Sequence, residues 1–160
     1  LGMKGSGKDE NKRAPMYWSK DGNAEGMCKG PADMDDFRMK FDSLEEQQED
    51  PDSIYNYVKQ VIRVRNQNPV IARGTTAYLE QYSGEQCFAL TRSYEGSNLL
   101  LLGNTSAEAV SVDLTGLTVG GTTAEELVLL GELYTGEETA ERAGTVVTLP
   151  AYSILILGEE

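Results

Sequence analysis

Residues 109–114 read AVSVDL. Val110, Val112 and Leu114 alternate with Ser111 and Asp113, the period of two that gives a strand one apolar and one polar face. Six further stretches read as strands: TTAYLEQY (75–82), EQCFALTRSY (85–94), NLLLLGN (98–104), ELVLLGELY (126–134), TVVTL (145–149) and YSILIL (152–157). Leu99–Leu102 and Ile154–Leu157 are continuously apolar, which suggests central strands buried on both faces. SGE at 83–85 and EGS at 95–97 read as short hairpin connections. GLTVGG (116–121) and TGEETAERAG (135–144) read as longer turns. Seven short strands at this spacing predict an antiparallel β-sandwich with Greek-key links over residues 70–160.

Upstream the period changes. In DPDSIYNYVKQVIRVRNQNP (50–69), Ile54, Tyr57, Val58, Val61 and Ile62 fall at i, i+3, i+4, i+7 and i+8, an amphipathic helix over about 52–66. Asp50 is the expected cap, Pro51 suits the first helical position, and Asp52 complements the helix dipole. Lys59, Arg63 and Arg65 gather toward the other end, and the helix should end at Pro69. Residues 1–50 show almost no periodicity, and about fifty structureless residues are too many for a loop of a self-contained domain. Such a segment is either disordered or packed on something outside this chain. The fold class is therefore mainly β, with one α-helix and a long irregular N-terminal segment ahead of the sandwich.

The 160 residues carry a formal net charge of -12, which repels nucleic acid and anionic lipid. The apolar runs fall far short of the ~20 residues of a membrane span. There is no histidine, so Ser-His and Cys-His nucleophile pairs and His-containing zinc sites are excluded within the chain. Cys28 and Cys87 fit no metal spacing and read as unpaired small residues. DMDD (33–36) lacks the alternating spacing of a calcium loop. Gly5, Gly7 and Lys8 faintly suggest a phosphate loop, but the Gly-x4-Gly-Lys-Ser/Thr pattern and a preceding strand are missing. The acidic run EEQQED (45–50) reads as a solvated face leading into the helix. No cofactor is implied. The opening LGMKGSG does not look like a natural start, as if the chain were cut from something longer.

RAPMYW (13–18), then DPDSIYNYVKQVIRVRNQNPVIARG (50–74), then a strand-rich tail ending in LPAYSILIL (149–157), resembles the C-terminal part of the alpha-amylase family of glycoside hydrolases. The resemblance covers essentially the whole chain. It implies that residues 1–69 are the remnant of a (β/α)8 barrel, comprising the loop after its eighth strand and its last helix. Residues 70–160 would be the family's domain C. Active sites of such barrels lie at the C-terminal ends of the strands, so residues 2–50 would sit on the rim and floor of the substrate cleft.

The resemblance further implies a substrate role for Asp9 and Arg13, which are spaced as an Asp and an Arg that hold sugar hydroxyls in many members. A carboxylate accepts from hydroxyls and a guanidinium donates in a fixed fork. The alternative is an internal Asp9–Arg13 ion pair that shapes the loop. Trp18 either stacks on a sugar or packs beneath the loop. Retaining members use a carboxylate nucleophile and an acid/base carboxyl, and these would lie upstream of Leu1; none of the 26 acidic residues here sits in a matching motif. The expected function is the C-terminal fragment of a secreted or cytoplasmic starch-degrading enzyme, inactive alone. Its partners would be the rest of the barrel and an α-glucan or oligosaccharide. The alternatives are a carbohydrate-binding sandwich, with Tyr78, Tyr82, Tyr94, Tyr134 and Tyr152 as stacking candidates, or a protein-interaction sandwich without sugar contact.

Overall fold

The structure is a computed structural model that describes residues 8–21, 25–35 and 39–159. Its contacts divide the chain into two units, Leu1–Asn56 and Tyr57–Glu160, taken in turn below.

The first unit begins with a 3-10 turn, Glu10–Arg13, and carries helix α1, Leu44–Glu49. The acidic run is therefore helical itself, where the sequence suggested only a lead-in. Its start is a capping box: Ser43 N–H donates to Glu46 Oε2 at 3.0 Å, and Glu46 N–H donates back to Ser43 Oγ at 3.3 Å. Two orphan donors are satisfied at once, which lets a helix this short hold its shape. Asp50 belongs to the end of α1, its N–H donating to the Glu46 carbonyl at 3.1 Å. It does not cap the next helix. Ser53 takes that place, its Oγ accepting the Asn56 N–H at 3.3 Å.

Helix α2 runs Ile54–Gln67, slightly later than the periodicity predicts. It stops where Asn68 turns its side-chain amide onto the Val64 carbonyl, 2.8 Å away. Pro69 does more than end it: as the first residue of a short helix α3, Pro69–Arg73, it needs no N–H partner. Ile54, Val58 and Ile62, successive at i+4 on α2, are 78, 47 and 52% exposed. Within the second unit Val64 lies against Gly131, and Gln60 donates to the Glu132 carbonyl.

The sandwich has ten strands among the described residues: β1 Thr75–Tyr78, β2 Cys87–Tyr94, β3 Ser97–Asn104, β4 Val110–Asp113, β5 Thr118–Val119, β6 Thr122–Thr123, β7 Val128–Leu133, β8 Glu141–Ala143, β9 Val146–Leu149 and β10 Ile154–Gly158. One sheet runs β1-β2-β3-β10-β7, a second β4-β9-β8, and β5 and β6 form a hairpin; every pairing is antiparallel. The expected antiparallel sandwich is present, as are the two continuous apolar stretches at its centre. β3 and β10 are adjacent, and Leu99, Leu100, Leu102 and Leu155–Leu157 are all buried. Val112, Leu114, Val147 and Leu149 meet Leu100, Leu102 and Leu157 in one core. Burying a Leu or Val of this kind contributes ~1.5–3 kcal/mol. The period-two reading of AVSVDL holds: Val112 and Leu114 are buried and Ser111 and Asp113 exposed.

Two strands fall where turns were expected, and a third begins directly after one of those turns. β5 comes from GLTVGG and β6 from the two threonines after it, joined by Gly120 and Gly121 at φ +64° and +102°, the backbone a tight hairpin needs. β8 comes from TGEETAERAG and is exposed along its length. The Glu95-Gly96 hairpin turn also has positive φ at both residues, as the EGS reading anticipates. Both cysteines are free. Among the described residues, no helix is long and apolar enough to cross a membrane.

Candidate functional site

The residues that sequence reasoning nominates lie in the first unit, on and after the Glu10–Arg13 turn. The turn is closed by the Lys12 N–H, which donates to the Asp9 carbonyl at 3.0 Å. Asp9 and Arg13 stand at its two ends, and the Arg13 guanidinium donates to the Asp9 carboxylate. The ion pair considered as the alternative therefore exists. Its side chains are 61 and 69% exposed. A pair in such surroundings contributes little to stability, about 0–1 kcal/mol. Opening it for an incoming hydroxyl is correspondingly cheap, and both groups keep hydrogen-bonding capacity beyond the single bond they share.

Beneath the turn sits a second arrangement, which sequence reasoning missed. Asn11 is 5% exposed. Its Nδ2 donates to Asp35 Oδ2 at 2.8 Å, and the Asp35 N–H donates to Asn11 Oδ1 at 3.0 Å. Lys8 Nζ reaches the other oxygen, Asp35 Oδ1, at 2.8 Å, and the Asp33 carbonyl at 3.4 Å. The hydrogen bond and charge of Asp35 push the Lys8 pKa up from its ordinary value. Lys8 lies just ahead of the 3-10 turn and Asn11 within it, and one carboxylate serves both. The partners are 24 positions apart along the chain. The sequence signal that does exist is an asparagine in a polar run, and that alone names no partner.

Trp18 has its main chain fixed and is 46% exposed as a residue. The Tyr17 and Trp18 carbonyls accept the Leu44 and Glu45 N–H groups at 2.9 and 3.0 Å, which satisfies orphan donors in the first turn of α1. Tyr17 packs edge-on against Phe41, ring centroids 6.3 Å apart, and its hydroxyl donates to the Lys20 carbonyl at 3.0 Å. Lys20 Nζ lies 3.2 Å from Glu46 Oε1, and its pKa is raised chiefly by that hydrogen bond. The indole is thus presented from a braced backbone, with about half of the residue's surface open to a ligand.

Gly5, Gly7 and Asp36 lie outside the described residues. Asp35 is engaged by Lys8 and Asn11, and among the described residues no three acidic or cysteine side chains converge on a metal position. The five sandwich tyrosines are dispersed. Tyr78 is opposite Leu90, and Tyr94 is four positions further along the same strand, or ~13 Å at strand spacing. Tyr82 donates to the Thr115 carbonyl, and Tyr134 donates to Glu132 Oε2 at 2.7 Å. Burial, above all, pushes the Tyr134 hydroxyl up to about 12. No two of these rings form a stacked pair among the described residues.

No family model matches the chain. In solved structures, the chain matches the C-terminal part of alpha-amylase family glycoside hydrolases. Amy13B of Eubacterium rectale is 39% identical, with a TM-score of 0.85, over 100% of this chain and 30% of that one. The alpha-amylase of H. orenii shares the fold at 23% identity and TM-score 0.66, over 90% of this chain and 28% of its own. The trehalulose synthase MutB, in a mutant from crystals soaked with trehalulose, does so at 24% and 0.67, over 91% and 25%. The chain thus spans about 30% of the length of Amy13B.

Proposed function

We propose that this chain is the C-terminal portion of a retaining glycosidase that degrades starch or related α-glucans. The observation that carries the reading is the 39% identity to Amy13B across the full 160 residues. In this reading the nucleophile and the acid/base carboxyl are supplied by a barrel formed by residues outside this chain, and the chain alone turns over no α-glucan. The sandwich is structural. The exposed Ile54, Val58 and Ile62 of α2 are then a barrel-facing surface, consistent with an apolar row that has no reason to meet water.

The loop from Lys8 to Trp18 contributes to the sugar site. Asp9 accepts and Arg13 donates to hydroxyls, and Trp18 offers an apolar ring to a sugar face. The exposure of the Asp9–Arg13 pair supports the role, because a sugar can insert between two solvated groups at little cost. The test is Arg13→Ala in the whole enzyme. Loss of a charged donor to the sugar should cost roughly 1.5–3 kcal/mol in kcat/KM with little change in melting temperature. Unchanged kinetics with a large drop in melting temperature would assign the pair to loop folding instead.

A further inference from the structure

We propose that Asp35 is a positioning residue for the Asp9–Arg13 pair, acting through Lys8 and Asn11. The inference rests on the sugar-binding reading of that pair and adds the element that aims it. Asp9 and Arg13 are both largely exposed, and among the described residues their side chains are anchored to each other alone. Side chains of this kind lose orientation unless their backbone is held. The backbone here is held from below at two points, one just ahead of the turn and one within it. Lys8, which precedes Asp9, and Asn11, midway to Arg13, both reach the Asp35 carboxylate, one on each oxygen. Asn11 and Asp35 additionally exchange a second bond in the reverse direction through the Asp35 N–H. The reciprocal pair fixes the amide plane of Asn11 as well as its distance, because donor and acceptor atoms of one planar group are both engaged.

Asp35 is itself set by local backbone. The Met34 N–H donates to the Pro31 carbonyl at 3.1 Å, a turn that places residue 35 against the 8–11 segment. Asn11 is 5% exposed, so the strongest part of this clip is shielded from water while the pair it supports is not. Losing the clip removes no group from the sugar. It lets the turn carrying Asp9 and Arg13 shift, and small misplacements of a positioned group cost rate steeply.

The experiment is a double-mutant cycle in the whole enzyme with maltodextrin as substrate. Asp35→Ala is expected to lower kcat/KM about tenfold. In an Arg13→Ala background the same change should lower it less than about twofold, because the residue it aims is gone. Asp35→Asn, which keeps an oxygen for the Asn11 amide but loses the charge facing Lys8, should fall between. The drop in melting temperature should be equal in both backgrounds. Lys8→Met changes an exposed side chain and repeats the test where Asp35→Ala does not fold, with a loss of about threefold that disappears without Arg13. An equal loss of kcat/KM in both backgrounds, or no loss at all, would overturn the inference while leaving the sugar role of Arg13 intact. If Arg13→Ala itself leaves kcat/KM unchanged, the sugar-binding reading falls, and the positioning role with it.

Discussion

The side-chain amide of Asn104 donates to the carbonyl of Pro150 at 2.9 Å, joining the end of β3 to the approach of β10 across 46 positions of chain. The same amide donates to the Leu149 carbonyl at 3.2 Å and to the Glu108 carbonyl at 2.7 Å. Its oxygen accepts from the Ser106 N–H and hydroxyl. Asn104 is 3% exposed and its bonds to Leu149 and Pro150 are buried, so the Leu149 carbonyl loses this donor with no water to replace it, while the Glu108 and Pro150 carbonyls keep the Ser106 and Ser153 hydroxyls. Asn104→Ala should therefore destabilise the chain by about 2 kcal/mol or more, read as a lower urea midpoint at unchanged m-value. A loss below about 0.5 kcal/mol would mean that the loop reorganises around the gap.

Gly103, opposite Phe88 in the β2–β3 ladder, has the aromatic ring lying where its Cβ would be. The residue is in a strand, so the requirement is space and not backbone freedom. Gly103→Ala should cost roughly 1–3 kcal/mol by forcing the ring out of its position. Adding Phe88→Leu should recover part of that loss in a thermal melt, whereas a strained backbone would be indifferent to the ring.

Glu126 closes a capping box with Thr123, whose hydroxyl and N–H both donate to Oε2 at 2.6 and 3.1 Å. The hydroxyl bond first, and the N–H bond second, hold its carboxyl below the usual 4.5. The folded pKa is depressed, so the contribution is full above the unfolded value and is lost as pH falls through the lower folded value. Glu126→Gln should melt lower than the parent at pH 7, and the two melting curves should converge on acidification below about pH 4. Parallel curves down to pH 3 would show that the carboxylate contributes nothing through its charge.

The sandwich was legible in the sequence because its strands carry their own burial pattern. AVSVDL alternates since one of its faces is wet, and NLLLLGN does not since neither face of β3 is. Helix α2 was legible from the helical period of its apolar stripe, although none of its residues is buried among the described residues. What escaped were elements made without such a pattern. β8 is exposed throughout, β5 and β6 are two residues each, and α1 is held by a capping box rather than by an apolar stripe. The box itself, Ser43 with Glu46 three positions on, is a local signal set within the acidic run.

Sequence by itself determined the strands that carry a burial pattern, the main helix and the Asp9/Arg13 spacing, because each is set by side chains close together along the chain. Tertiary structure alone decided which cation Asp35 takes, that Asn11 is buried, and that Arg92 of β2 spends its guanidinium on the Ile71 carbonyl of α3 at 2.7 Å. Those pairings join residues twenty or more positions apart. A lone polar residue carries donors and acceptors but no address, and its partner is fixed only when packing excludes water and leaves one group within reach.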